Sequence, residues 1–415
     1  MQQMSEVGSG TWAAMGSPAY RRLFYSTAIV IFGVMGQSVA RGWLARELTG
    51  NNTGLGGVML VFGVAMLIAT PFGGAAADRY RRRDILVGSV LVLMTSSVAI
   101  GVAVVTDVVE YWMLLVASAA QAAAFAYYLP SRIALIAELL PSAAVRNGIV
   151  VAQMAQEAMR VIAPAMAGLL VGVAWFGVGG VFLTAGVASA AAAALVVGLP
   201  PGRSNPDVER SPLGEMADAV RYIRATPGLG AIAIVTVGVV MVGFPYLTFL
   251  PTLADDRFEV GAAGYGVMSG VAGAGALVAG LVDSRVNQGV HPWLTITVAG
   301  AGLGVSLVVL GAAPSYALAL VALAAVGAAG LVFQTSTQAL MLRLSAIEYH
   351  GRLQSFVILG FSGFGLAALP FGLAADALSL RAVMVAMGAV VIAITALFAL
   401  ARLRLRRRPA VVDFG

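Results

Sequence analysis

The sequence predicts an all-α integral membrane protein: twelve transmembrane helices in two pseudo-symmetric six-helix bundles, with both termini cytoplasmic. Three observations predict it: a scarcity of charge, a succession of long charge-free runs, and a repeat at one fixed offset. Of 415 residues, 60% are hydrophobic and 11% charged, and the mean hydropathy is +0.92. Soluble domains carry about 25% charged residues, so the composition places the chain in the membrane class.

A crossing helix needs about 20 apolar residues, because lipid offers no partner to an open backbone. Charge-free runs occupy 23–40, 48–77, 85–106, 111–131, 161–202, 225–254, 260–282, 286–342, 353–375 and 382–401. Two exceed one crossing. "AWFGVGG" (174–180) divides the first of these and "GAAPS" (311–315) the second, which makes twelve spans. The fifth begins near Arg146 and carries charges inside it. The opening "MQQMSEVGSGTW" lacks an arginine followed by an apolar core and a small-residue cleavage site, so the first span is expected to act as an uncleaved insertion signal.

All 25 basic residues are arginine. Counted by alternate sides, nineteen lie in 1–22, 78–84, at Arg146, in 203–224, at Arg285, in 343–352 and in 402–408. The other side holds four: Arg41, Arg46, Arg257 and Arg381. Arg132 and Arg160 fall within spans. This asymmetry predicts a multi-pass protein of a bacterial cell (inner) membrane with cytoplasmic termini. The arginines edge the spans and form no separate basic domain, which argues against a nucleic-acid partner. The chain has no lysine, so it has no P-loop and no Schiff-base chemistry. With no cysteine and only His291 and His350, a Cys/His zinc site cannot be built. No metal or cofactor is expected, and a monomer suffices.

"GGAAADR" ends span two and "VAGLVDSR" (278–285) ends span eight, with Asp78 and Asp283 205 residues apart. Ala134 in "ALIAELLPSAAVRN" and Ala339 in "ALMLRLSAIEYHGR" are separated by the same 205. Duplicated halves follow. The expected organisation is a cytoplasmic segment 1–22, a bundle 23–199, a linker 200–226, a bundle 227–403 and a cytoplasmic tail 404–415. Within the linker, Ser211 as N-cap, Pro212 at the first position and Thr226-Pro227 as the stop predict a surface helix. Leu213, Met216, Val220 and Ile223 form its apolar stripe.

Between spans two and three, Asp78 to Asp84 hold six charges in seven positions. Gly74-x-x-Ala77-Asp78-Arg79-x-x-Arg82-Arg83 resembles the signature loop of the major facilitator superfamily. "LPSRIALIAELLP" (129–141) and "IAPAMAGLL" (162–170) resemble its twelve-span drug and siderophore exporters, the branch of macrolide efflux proteins and the enterobactin exporter. The second fragment is similar to that branch's helix-five motif, with Ala163 and Ala167 where glycines stand and, in the loop, Arg81 where glycine is usual. The resemblance implies a loop that latches the cytoplasmic helix ends in one state and releases them in the other. Gly74 is expected to admit a close helix approach. The plainer alternative is that these arginines only set topology and meet anionic lipid.

Charge at membrane depth marks a functional site. Counted from Arg146, Glu157 and Arg160 lie about 17–21 Å into the fifth span and share one helix face. Arg132, Gln153 and Gln156 are expected nearby. Glu157 is either a proton-exchanging carboxylate or a permanently ionised partner of an arginine. The superfamily resemblance further implies a cavity lined by spans one, four, seven and ten, whose candidates are Gln37, Arg41, Tyr127, Tyr128, Tyr246, Phe249, Phe333, Gln334, Thr337 and Gln338. Arg41 is either a gate residue or a snorkelling one. Pro164, Pro245, Pro251 and Pro370 interrupt spans where bending is useful. Gly266, Gly270, Gly273 and Gly275 form a small-residue face suited to close helix packing.

The expected function is proton-coupled efflux of a small amphipathic molecule by alternating access. The nearest alternatives are an importer or a lysophospholipid transporter of the same fold. An acidic pair for magnesium, Asp255-Asp256-x-x-Glu259 or Asp107-x-x-Glu110, would suit a membrane prenyltransferase, but both lie on the side that the arginine count makes external.

Overall fold

The structure is a computed structural model that describes residues 13–203, 212–286, 291–346 and 349–406. Among them the regular structure is helical throughout. The first half contains α1 (Pro18–Thr49), α2 (Asn52–Arg79), α3 (Arg82–Val105), α4 (Tyr111–Leu139), α5 (Ser142–Val171) and α6 (Gly177–Val197). A connector, α7 (Pro212–Ala225), leads to the second half. There α8 (Pro227–Gly243), α9 (Tyr246–Thr252) and a π-helical turn (Leu253–Arg257) make one crossing. It is followed by α10 (Gly261–Val286), α11 (Pro292–Ala312), α12 (Tyr316–Arg343), α13 (His350–Ala377) and α14 (Leu380–Arg406).

Eleven segments are long and apolar enough to cross a membrane over their described residues. α13, 28 residues long, completes the twelve. Both expected divisions occur: α5 stops at Val171 and α6 starts at Gly177, while α11 stops at Ala312 and α12 starts at Tyr316. Local chemistry sets several ends. Ser17 caps α1, followed by Pro18 at its first position. Gly50, at φ 65°, closes that helix in the left-handed conformation, which a side chain would resist. Asn51 Oδ1 accepts from Gly54 N at 2.7 Å to start α2. In the connector, Pro212 opens α7 and Thr226 is the cap of α8, while Ser211 lies outside the described residues.

The halves repeat one packing scheme. α2 packs on α4 as α10 packs on α12, and α3 packs on α4 and α6 as α11 packs on α12 and α14. Across the halves, α2 meets α13 and α5 meets α10, the exchange that a twofold relation requires. Two tyrosines show the repeat in detail. The Tyr111 hydroxyl donates to Gly54 O at 2.8 Å and the Tyr316 hydroxyl to Gly264 O at 2.9 Å. Each starts its helix, and they are 205 residues apart, the offset already seen at Asp78 and Ala134.

Twelve crossings return the chain to one end, here called the terminal end; the opposite end is the far end. The halves touch backbone to backbone toward the far end. A Cβ placed on Gly168 would sit 1.9 Å from Gly266 Cα, and one on Gly63 would sit 2.7 Å from Ser362 O. The small-residue face of α10 is used as expected: Gly270 meets Ala165, Gly273 meets Val161, and Gly275 meets Ala324 on α12. In lipid, where apolar burial gives helices little reason to associate, this close approach supplies the packing.

Two expectations need correction. A Cβ at Gly74 meets no described atom within 4 Å; the close approach belongs to Gly73, where a Cβ would lie 2.1 Å from Ala126 O on α4. Successive helical residues point about 100° apart, so only one of the pair can face α4. Arg41 does not snorkel: α1 continues to Thr49, and Arg41 is 4% exposed inside the bundle.

Gly73→Ala should therefore lower the apparent melting temperature of the purified protein by an amount equivalent to about 1–3 kcal/mol of overpacking. Gly74→Ala should leave it unchanged. Equal effects from the two substitutions would refute the assignment.

Candidate functional site

A chamber of about 450 Å³ lies between the halves, walled by α1, α2, α5, α9, α10 and α12 with Leu303 of α11 and Phe364 of α13. Val58, Met59, Phe62, Phe244, Leu247 and Phe364 make much of the wall apolar. The only charged side chains among its described lining residues are Arg41, Glu157 and Arg160.

Glu157 and Arg160 are one helical turn apart on α5, with Arg160 Nε 3.8 Å from Glu157 Oε2. Gln153 Nε2 donates to Glu157 Oε1 at 2.9 Å from the preceding turn. Charge-assisted bonds favour about 2.7–2.9 Å, so the carboxylate is held more closely by the amide than by the guanidinium. Arg132 takes no part in this pair. It donates from Nη1 to Gln156 Oε1 at 3.0 Å, and both residues are buried inside the first half.

Arg41 heads a separate polar chain. Its Nη2 donates to Gln121 Oε1. Gln121 Nε2 donates to Gln37 Oε1 at 3.1 Å and to Ser96 Oγ at 3.3 Å, and Ser97 Oγ donates to Gln37 Oε1 at 3.0 Å. The amides thus hold the guanidinium from behind while Arg41 borders the chamber.

The far end is clasped across the halves. Arg46 Nη2 contacts Asp256 Oδ1 and Oδ2 at 2.5 and 2.7 Å, which commits one member of the acidic pair in 255–259. Asp376 on α13 accepts from the backbone N–H groups of Asn52 and Thr53 at 2.9 and 2.7 Å, and from Asn52 Nδ2 and Thr53 Oγ1 at 2.9 and 2.6 Å. A carboxylate from one half thereby satisfies the open N–H groups at the start of α2 in the other. Trp43 stacks on Tyr265 beside this clasp, with ring centroids 6.4 Å apart.

At the terminal end, the charged loop is tied into the first half. Arg82 is ion-paired with Glu138 on α4, and Glu138 also accepts from Arg203 N at 3.1 and 3.0 Å. Arg83 reaches Leu199 O and Pro201 O, both at 3.3 Å. Arg79 lies over the Tyr80 ring, and Asp78 is half-buried. The Asp283 side chain lies outside the described residues.

Of the residues expected to line a cavity, Arg41, Tyr246 and Gln334 do so, together with Glu157 and Arg160. Gln37 stands behind Arg41. Tyr127 packs with Met66 and Ala69, and the Tyr128 hydroxyl reaches Thr27 Oγ1 at 3.3 Å inside the first half. Phe249 and Phe333 are fully buried in the core, the Thr337 hydroxyl donates back to Phe333 O at 2.9 Å, and Gln338 is half-buried; none of these borders the chamber. The spans are apolar on every side, so no stripe in the sequence tells which face looks inward. Gln121, Glu138 and Asp376 were not singled out from the sequence, and Asp256 was named only as part of an acidic pair for magnesium, whereas it pairs with Arg46. For Glu138, a lone acid inside the apolar "ALIAELLP" was an available signal.

Twelve crossings around a central chamber, clasped across two repeated halves, define a membrane transport protein. The sequence profile of the Major Facilitator Superfamily matches residues 23–362, and the chain belongs to that superfamily. No curated protein matches the sequence significantly. Among solved structures, a bacterial homologue of the human lysosomal transporter Spinster, inward-facing and unoccupied, superposes with a TM-score of 0.73 at 17% identity. That match covers 96% of this chain and 100% of the other. A POT family transporter in complex with a thioalcohol-conjugated peptide gives 0.75 at 13% identity over 94% and 96% of the two chains. A nucleoside transporter gives 0.70 at 13% over 92% and 99%. These likenesses are of fold, and the fold is that of a secondary transporter.

A double-mutant cycle of Arg82→Ala and Glu138→Ala, read by melting temperature, should show a coupling of about 0.5–3 kcal/mol; a coupling of zero would mean the pair holds nothing. Because the chain contains no cysteine, a cysteine introduced at Ser38 in the chamber wall reports access cleanly. Asp376→Ala should raise its rate of maleimide labelling from the far end several-fold. An unchanged rate would show that the carboxylate is no clasp.

Proposed function

We propose that this superfamily member carries a small amphipathic molecule out of a bacterial cell in exchange for protons. One observation carries the proton assignment: Glu157 is the only acid among the described residues lining the chamber. Its 3.8 Å separation from Arg160 is longer than a charge-assisted hydrogen bond, so no tight ion pair locks it. The mainly apolar wall and the volume suit a ligand of drug-like size, since such pockets run about 300–1,000 Å³.

Direction rests on two supports. The arginine asymmetry orients the terminal end toward the cytoplasm, which makes the far-end clasp an outer gate and this state the one that loads cargo from inside. The fragments at 129–141 and 162–170 resemble exporters. The bundles 23–199 and 227–403 would then rock about the chamber while 200–226 tethers them, with 1–22 and 404–415 as tails. Glycine contacts between α5 and α10 and between α2 and α13 are the surfaces on which that rocking would turn.

Inside-out vesicles with an imposed proton gradient test this directly. A panel of labelled drugs, siderophores and lysophospholipids should reveal at least one compound whose uptake collapses on adding a protonophore. Glu157→Gln should reduce that uptake tenfold or more while leaving gradient-independent exchange in place. Full gradient-driven uptake by the variant would remove Glu157 from the coupling route, and uptake only in right-side-out vesicles would reverse the direction.

A further inference from the structure

Among the chamber's three charged groups, Glu157 and Arg160 answer each other, and Arg41 is left over. No described carboxylate lies within 4.0 Å of its guanidinium. One donor is spent on Gln121, and no other described acceptor takes the rest. Arg41 is nonetheless 4% exposed and eight residues short of the end of α1, about 12 Å along the helix axis. A cation at such depth is costly and ordinarily finds a partner or serves a ligand.

The surroundings show a cation held ready rather than one that is merely tolerated. Gln121 is oriented by Gln37 and Ser96, and Gln37 in turn accepts from Ser97. Neutral amides position the guanidinium without neutralising it. Gln37 Nε2 is itself buried with no partner, so this chain of amides is incompletely satisfied within the protein. The lining residues carry two positive charges against one negative, and the excess sits on Arg41.

We propose that Arg41 is the recognition point for an anionic headgroup, a carboxylate or phosphate monoester, on an amphipathic cargo. Its apolar body would lie along the wall formed by Val58, Met59, Phe62 and Leu247. Arginine suits this role because its planar fork can give two parallel N–H bonds to such an oxygen pair. The inference rests on the chamber being the cargo site, and it names the chemical class that site selects. Gln121 acts through Arg41 as a positioning residue.

The test is equilibrium binding, which needs no gradient. The full chain in phosphatidylcholine nanodiscs is titrated calorimetrically with 4-phenylbutyrate, 4-phenylbutyl phosphate, 4-phenylbutanol and 4-phenylbutylamine. The two anions should bind saturably and at least tenfold more tightly than the alcohol or the amine, as charged hydrogen bonds imply. Arg41→Gln should abolish that preference while the melting temperature is kept or raised, because an unneutralised charge has been removed. Arg41→Lys should restore part of the preference, and Gln121→Ala should weaken anion binding by less than Arg41→Gln does.

Phosphatidylglycerol in the disc separates two sources of the anion. Competition with the probe assigns the site to a lipid headgroup, and indifference assigns it to a soluble organic anion. Equal binding of amine and anion by the unmodified chain, no saturable anion binding, or an unchanged preference in a folded Arg41→Gln protein would each overturn the proposal. Anion selectivity without vesicle flux would leave this subsite standing and sink the export scheme. Flux confined to cations would do the reverse.

Discussion

Backbone contact between the halves is the constraint on which the remaining architecture depends. Lipid withholds the apolar driving force that packs soluble helices, so α5 and α10 are joined where Gly168 meets Gly266, and α2 and α13 where Gly63 meets Gly365. Side chains at these points would push the halves apart. The chamber would then have no floor, and Asp376 would lose its reach to the first turn of α2. The clasp is thus a consequence of the glycine contacts. It converts close approach into a closed end by matching a carboxylate to N–H groups that any helix start leaves open.

The charges divide into those that hold the protein in shape and those that do not. Arg82 with Glu138, Arg46 with Asp256, and Asp376 with the start of α2 each neutralise one element against another near an end of the bundle, where water screens part of the cost. Glu157, Arg160 and Arg41 lie at the chamber and bridge no two helices by charge. The pair on α5 is internal to one helix, and Arg41 is held only by amides. Pairing between elements therefore does not account for these three, whereas it accounts for Arg82, Arg46 and Asp376.

Much of the architecture was legible in the sequence because it is written in long-range regularities. Charge-free runs count the crossings, glycine- and proline-bearing segments divide the two overlong ones, and the 205-residue offset marks the halves; Tyr111 and Tyr316 extend that offset to a matched hydrogen bond. Faces were not legible. Gly73 and Gly74, or Tyr127 and Tyr128, differ only by a helical step, and a span that is apolar all round has no stripe to choose between them. The charge-free run ends just before Arg41, so the sequence left gate and snorkel open, although α1 continues for two more turns before Gly50 stops it. Gln121 was hidden inside an uncharged run, since counting charge passes over neutral amides.

A proton site at Glu157 and an anion site at Arg41 would make separable demands on the energetics. Protonating Glu157 removes the chamber's one negative charge, so it would strengthen anion binding, and by reciprocity a bound anion would favour the proton. Exchange requires the opposite sign, with cargo and proton excluding one another. Alternation between states supplies that sign: a proton taken up by Glu157 from outside would have to leave inward before an anionic cargo loads at Arg41. A membrane potential negative inside adds to this, favouring outward movement of a monoanion by about 2.3 kcal/mol per charge for each 100 mV. The two carriers of charge in this chamber thus lead to different predictions for the driving force, and the sign of the coupling between them decides whether Glu157 is part of the engine or part of the wall.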